Sequence, residues 1–121
     1  MARQEMVIFT RTFDFLVWLM PMTNHFPRNQ RHTFSQRLLD AAFDFSEAIH
    51  EANLRQGSAR RERLARADEA LDKVRHYLRL ASRLNWLSAG QYQHVAVMVE
   101  EIGRLLGGWQ KSITPSAMTT D

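Results

Sequence analysis

Apolar residues along this chain recur at alternating steps of three and four, the spacing of a helix seam. No stretch alternates residue by residue as a half-buried strand would. Four helices follow from that pattern. The first, about residues 4–20, carries Met6, Phe9, Phe13, Leu16 and Met20 on one stripe. Ile8, Phe15, Trp18, Leu19 and Met22 lie on its other faces, and Pro21 is expected to stop it. This is more apolar surface than a one-sided helix needs, so the helix is either deeply buried or shared with another subunit. Residues 21–32 hold two prolines and read as a linker. Thr33-Phe-Ser-Gln36 has the form of a capping box opening a second helix over 33–55, with Phe34, Leu38, Ala41, Phe45, Ala48 and Ala52 as its seam. Gly57 is placed to end it, and Ser58 to cap a third helix over 59–85 with the seam Leu64, Ala67, Leu71, Val74, Leu78 and Ala81. Ser88-Ala-Gly-Gln91 is a second capping box; it opens a fourth helix over 88–112 along Tyr92, Val95, Val99, Ile102, Leu106, Trp109 and Ile113. Long helices joined by short connections predict an all-α fold over 1–113, an antiparallel up-and-down four-helix bundle. Residues 114–121 have no apolar period and are expected to form a disordered tail.

One stretch of the fourth helix departs from good helix chemistry. Glu101-Ile-Gly-Arg-Leu-Leu-Gly-Gly-Trp109 places three glycines in a strongly periodic segment, each costing roughly 1 kcal/mol relative to alanine. Gly103 and Gly107 lie four apart on one face, where a neighbouring backbone can approach closely. The two-sided first helix and this glycine face together predict a homo-oligomer. Phe15, Trp18, Gly103, Gly107, Gly108 and Trp109 are its candidate packing residues.

With 121 residues the chain is one domain, large enough to build a core without disulfides or metal. It has no cysteine, which excludes disulfides, thiolate chemistry and cysteine-based zinc sites. Arg11 and Asp14 interrupt the N-terminal apolar stretch, so it does not read as a signal peptide, and Phe15 to Met20 is far too short to span a bilayer. A cytoplasmic protein without membrane contact is expected. The net charge is +3, and the first 57 residues balance six arginines against six acids, so the excess lies beyond Gly57. Fourteen of the sixteen basic residues are arginine, whose planar fork suits phosphate and carboxylate.

Catalytic readings find little support. Glu47-Ala-Ile-His50 has the spacing of a di-iron carboxylate bundle, but such a site needs a second Glu-x-x-His and two further glutamates. There is no second copy. Asp40, Asp44, Glu47 and Glu51 recur on the face away from the helix-two seam, as a solvated or partner-facing acidic stripe would. The five histidines form no His-x-x-x-His pair, and no phosphate loop or nucleophile elbow is present. No enzyme, metal or cofactor is expected. The third helix is the stronger lead. Arg60, Arg61, Arg63 and Arg66 crowd its first turns, against the positive end of the helix dipole. Lys73, Arg75, Arg79 and Arg83 follow with no acid among them, and the last three form a rail roughly 12 Å long at 1.5 Å per residue. Such a rail can track a phosphate backbone or face an acidic protein; the alternative is pairing with Asp68, Asp72 or the helix-two stripe. Tyr77 lies beside it, either to stack on a base or to pack, while Trp86 and Trp109 read as packed residues.

The chain also resembles the accessory variability determinant proteins of diversity-generating retroelements. The resemblance runs from Phe13 to Ser112, through Phe13-Asp-Phe-Leu-Val-Trp-Leu-Met-Pro21, Phe26-Pro-Arg28 with Arg31, and Glu51-Ala-Asn53. It continues in Leu71-Asp-Lys-Val-Arg75 and Tyr77-Leu-Arg-Leu-Ala81, and is most distinctive in Glu101-Ile-Gly-Arg104 and Leu106-Gly-Gly-Trp109 with Lys111-Ser112. It implies a non-enzymatic four-helix bundle assembled as a pentameric barrel. It further implies association with the element's reverse transcriptase, binding of RNA and possibly DNA with little sequence preference, and support for mutagenic copying. Arg28, Arg31, Arg104 and Lys111 lie in the matching motifs and join the candidate contacts. The low net charge and the acidic helix-two face depart from the family pattern and weigh polymerase binding above free-standing nucleic-acid binding. The alternative function is a purely structural or protein-interaction bundle without nucleic-acid contact.

Overall fold

The expected seams of the second, third and fourth helices meet in the centre of a four-helix bundle. The computed structural model describes the backbone from Ala2 to Thr119 and the side chains of residues 7–113. Its helices are α1 (Ala2–Thr23), α2 (Gln36–Asn53), α3 (Gly57–Arg83) and α4 (Ala89–Thr119). Each packs on the next in sequence and α1 also packs on α4, so the four close a ring around one core. There is no strand among the described residues. The disordered tail expected from Thr114 lies outside the residues whose side chains are described.

Every seam residue named for α2 and α3 is buried, joined by Ala42, Ile49 and Ala70. Alanine at so many of these positions lets the two helices approach closely, and α2 against α3 is the most extensive contact in the bundle. In α4, Val95, Val99, Ile102, Leu106 and Trp109 are buried, while Tyr92 and Ile113 at the two ends are only partly so.

α1 divides differently from the expectation. Its core stripe is Ile8, Thr12, Phe15, Leu19 and Thr23, whereas Phe13, Val17 and Met20 remain 63%, 73% and 47% exposed. Pro21 does not stop the helix. It sits on the same exposed side as Val17, where its ring meets no packed neighbour helix, and α1 continues to Thr23. Three successive i to i+3 bonds then end it, from the amides of Asn24, His25 and Phe26 to the carbonyls of Pro21, Met22 and Thr23.

The connections correct two caps and bear out a third. Residues expected as linker form a 3₁₀ turn (Arg28–Gln30) and one π-helical turn (Arg31–Ser35), after which α2 begins at Gln36. Thr33 lies inside that π turn and its hydroxyl donates to Oε1 of Gln30 at 2.8 Å, so it does not cap α2. Gln56, not Ser58, precedes α3, with Gly57 at φ +61° turning the chain out of α2. At the start of α4 the capping box forms in full: the Ser88 amide donates to Gln91 Oε1 at 2.8 Å, and the Gln91 amide donates to Ser88 Oγ at 3.1 Å. α3 ends in a Schellman turn, with Asn85 left-handed at φ 62°, Trp86 N bonded to Ala81 O and Asn85 N to Ser82 O.

That turn delivers Trp86 to an aromatic cluster at one end of the bundle. Its ring lies 5.0 Å from Phe34 and 5.8 Å from Phe26, and Phe34 also meets Tyr77 edge-on at 5.4 Å. Tyr77 is therefore a packed residue of this cluster.

Candidate nucleic-acid and partner interface

α3 advances about 100° per residue, so its cations fall on two faces. Arg75, Arg79 and Arg83 turn toward α4. Two adjoining cavities run along the groove between the helices. One, of about 410 Å³, is lined by Arg75, Leu78, Arg79, Tyr92, Ala96, Val99, Glu100, Gly103 and Arg104. The other, of about 420 Å³, is lined by His76, Arg79, Leu80, Ser82, Arg83 and Tyr92. Arg79 and Tyr92 belong to both, so the groove is continuous past them. Its floor is aliphatic and its rim is arginine. Arg75 donates from Nη1 to Asp72 Oδ1 at 2.6 Å, and Arg104 lies 3.4 Å from Glu100. Arg79 and Arg83 are exposed and form no ion pair among the described residues.

The first turns of α3 use their cations inside the protomer. Arg60 donates from Nε to the Ala52 carbonyl at 2.9 Å and from Nη2 to the Asn53 carbonyl at 3.4 Å, and its guanidinium stands 5.7 Å from the centre of the Trp109 ring. It caps the C-terminus of α2, as Arg55 does through the Glu51 carbonyl. Arg63, only 19% exposed, lies 3.0 Å from Glu51 and 2.6 Å from Glu62. Arg60 and Arg63, expected in a binding surface, are thus held by the bundle, because the α2–α3 turn brings spare carbonyls and the acidic stripe to them. Arg66 and Lys73 line a cleft of about 290 Å³ with Asp44, Glu47, Glu51 and Glu69, so Lys73 faces the acidic side and not the rail. Arg61 is half-buried; Arg28 and Arg31 border a separate cleft of about 220 Å³ at the α1–α2 connection; Lys111 is exposed two turns beyond Arg104. No group of three or more histidines and acids is arranged to hold a metal ion among the described residues, and no helix there is long and apolar enough to cross a membrane.

The arginine-rimmed groove and the glycine-bearing helix that closes it lie within residues 6–113, the span matched by the bAvd-like family model. This chain belongs to the bAvd-like family. A comparison with curated proteins found no match. Among solved structures, it is similar to a protein of unknown function from the S23 ribosomal protein family of Bacteroides thetaiotaomicron, with a TM-score of 0.81 and 20% identity. The alignment covers 89% of this chain and 98% of that one. At that identity the likeness speaks to the fold.

Within this bAvd-like bundle the residues expected at a subunit contact separate into four groups. Phe15 and Trp109 are 0% and 1% exposed and fill the protomer's own core, Trp109 meeting Phe9 edge-on at 6.2 Å. They are corrected to core residues: both are among the largest fully buried side chains of the bundle. Gly103 is occupied within the protomer, where a Cβ would stand 2.5 Å from Nη2 of Arg75. The close approach expected there is made by an arginine side chain, not a second backbone. A Cβ on Gly107 would meet nothing within 4 Å, so the bundle itself makes no tight contact at that position. Trp18 is half-buried against His94, with ring centres 5.5 Å apart, and Gly108 is half-buried. The α1 strip of Phe13, Val17 and Met20 is left uncovered, as are Leu54, Leu80, Leu84 and Val97 elsewhere among the described residues. Tyr92, a seam residue by its spacing, stands in the first turn of α4 and lines both cavities of the groove.

Proposed function

We propose that this protein is a non-catalytic accessory factor of a diversity-generating retroelement, which holds the element's reverse transcriptase and template RNA together during mutagenic copying in the cytoplasm. The observation that carries this reading is the α3–α4 groove of a bAvd-like chain, rimmed by Arg75, Arg79, Arg83 and Arg104. Arginine forks match phosphate oxygens, and Tyr92 offers a ring at the junction of the two cavities on which an unpaired base can stack. The uncovered α1 strip supports assembly of several copies, five by resemblance to the family, which would repeat the groove around a barrel. Repetition multiplies weak contacts to one long RNA without any new contact being made.

The test is the triple variant Arg75→Ala/Arg79→Ala/Arg83→Ala. Arg79 and Arg83 are exposed, and the half-buried Arg75 pairs with an exposed Asp72, so the melting temperature should stay close to that of the parent. Its binding to single-stranded RNA should weaken, and the log–log salt slope should flatten by about 2 for three lost phosphate contacts. Titration with the reverse transcriptase tests the other partner. Unchanged binding to both would reject the groove as a functional surface.

A further inference from the structure

Gly103 presents a discrepancy that helix packing does not explain. An alanine there would improve the helix, and the only severe contact of its Cβ would be with Nη2 of Arg75, the far end of a flexible side chain; Leu71 stands at an ordinary 3.7 Å. Arg75 could swing aside into the groove at little cost. The fold therefore does not require glycine at this position, but the placement of Arg75 does. With no side chain at 103, the Nη2 end of the guanidinium reaches the space a Cβ would occupy on α4, and its other terminal nitrogen, Nη1, is held 2.6 Å from Asp72. The arginine is fixed from both sides at the mouth of the cavity it lines.

We infer that Gly103 is a positioning residue for anion recognition: it seats Arg75 so that its remaining N–H groups meet a phosphate group without the side chain first having to be ordered. A long cation that is already held loses less rotamer freedom on binding than a free one. This rests on the groove being the phosphate-binding surface proposed above. Arg79 and Arg83, which have no such seat, supply charge; Arg75 supplies charge at a set place.

The experiment is a double-mutant cycle of Gly103→Ala and Arg75→Ala, read by titration of a fluorescent single-stranded RNA of mixed sequence and by thermal melting. Gly103→Ala keeps every charge, yet should weaken RNA binding roughly three- to tenfold, the worth of one well-placed hydrogen bond. Its melting temperature should hold or rise by about 2–4 °C. In the Arg75→Ala background the same change should have no further effect on binding. Normal binding by Gly103→Ala, an equal loss in both backgrounds, or a lowered melting temperature would each overturn the inference, the last because it would make the glycine a packing requirement. If the triple arginine variant binds RNA and polymerase normally, the groove reading itself has failed. If the triple variant loses binding while Gly103→Ala keeps it, only the seat is wrong.

Discussion

Arg60 tests whether the arginines of α3 divide into structural and binding groups. Arg60→Ala removes a charge-assisted hydrogen bond to the Ala52 carbonyl, a longer one to Asn53, and the cation over Trp109. A hydrogen bond to a charged group contributes about 1.5–3 kcal/mol, and the partial exposure of Arg60 puts it at the lower end. The cation–π contact adds about 0.5–1 kcal/mol, and the long bond little. The expected loss is about 2 kcal/mol, or roughly 8 °C in melting temperature for a domain of this size. Thermal unfolding at one fixed protein concentration measures it, since assembly makes melting concentration-dependent. RNA affinity of the still-folded variant, measured well below its melting temperature, should match the parent. Arg60→Lys should recover only part of the stability, because an ammonium keeps the charge at the helix end but cannot reach two carbonyls as a fork. A variant that melts within about 2 °C of the parent yet loses RNA binding would refute the division, and would return Arg60 to the binding surface.

Two further outcomes are expected. Phe34→Ala removes the ring at the centre of the Phe26, Tyr77 and Trp86 cluster and should destabilise by about 3–5 kcal/mol, seen as a lowered urea midpoint with an unchanged slope. Phe13→Asp/Val17→Asp changes two side chains already 63% and 73% exposed, so the helical circular dichroism should persist while light scattering falls from an oligomeric mass to that of a monomer; an unchanged mass, or a parent that is itself monomeric at micromolar concentration, would reject the α1 strip as the subunit contact.

How far the residues announce the structure depends on how many roles each helix has. α2 and α3 have one apolar face and one polar face, so a count of threes and fours names their buried residues. α1 is apolar on most sides, and periodicity alone cannot say which stripe the core takes; the choice went to the stripe bearing Thr12 and Thr23, two polar residues that no hydrophobic count selects. Capping boxes show a similar limit. Ser88 and Gln91 satisfy each other because α4 starts there, whereas Thr33 falls inside a π turn and its hydroxyl goes to Gln30, so the same pattern caps nothing. The site was legible as a rail of charge but not as a groove. Neither the Gly103 seat nor the position of Tyr92 exists until α3 and α4 are laid side by side.

The same pairing of helices explains how a chain of modest net charge can present a locally basic groove. Four carboxylates, Asp44, Glu47, Glu51 and Glu69, gather with Arg66 and Lys73 in the α2–α3 cleft, an excess of two negative charges. Four arginines, Arg75, Arg79, Arg83 and Arg104, gather at the α3–α4 groove against Asp72 and Glu100, an excess of two positive charges. The two lie on opposite flanks of one helix, so the whole-chain figure of +3 averages over a separation of charge that an approaching polyanion would not. A partner within a Debye length, about 8 Å at physiological salt, responds to the flank it faces. The acidic cleft then does not argue against nucleic-acid binding at the groove. It restricts which side of α3 a phosphate backbone can take, and so favours one orientation of the strand on the bundle over a diffuse coating of it.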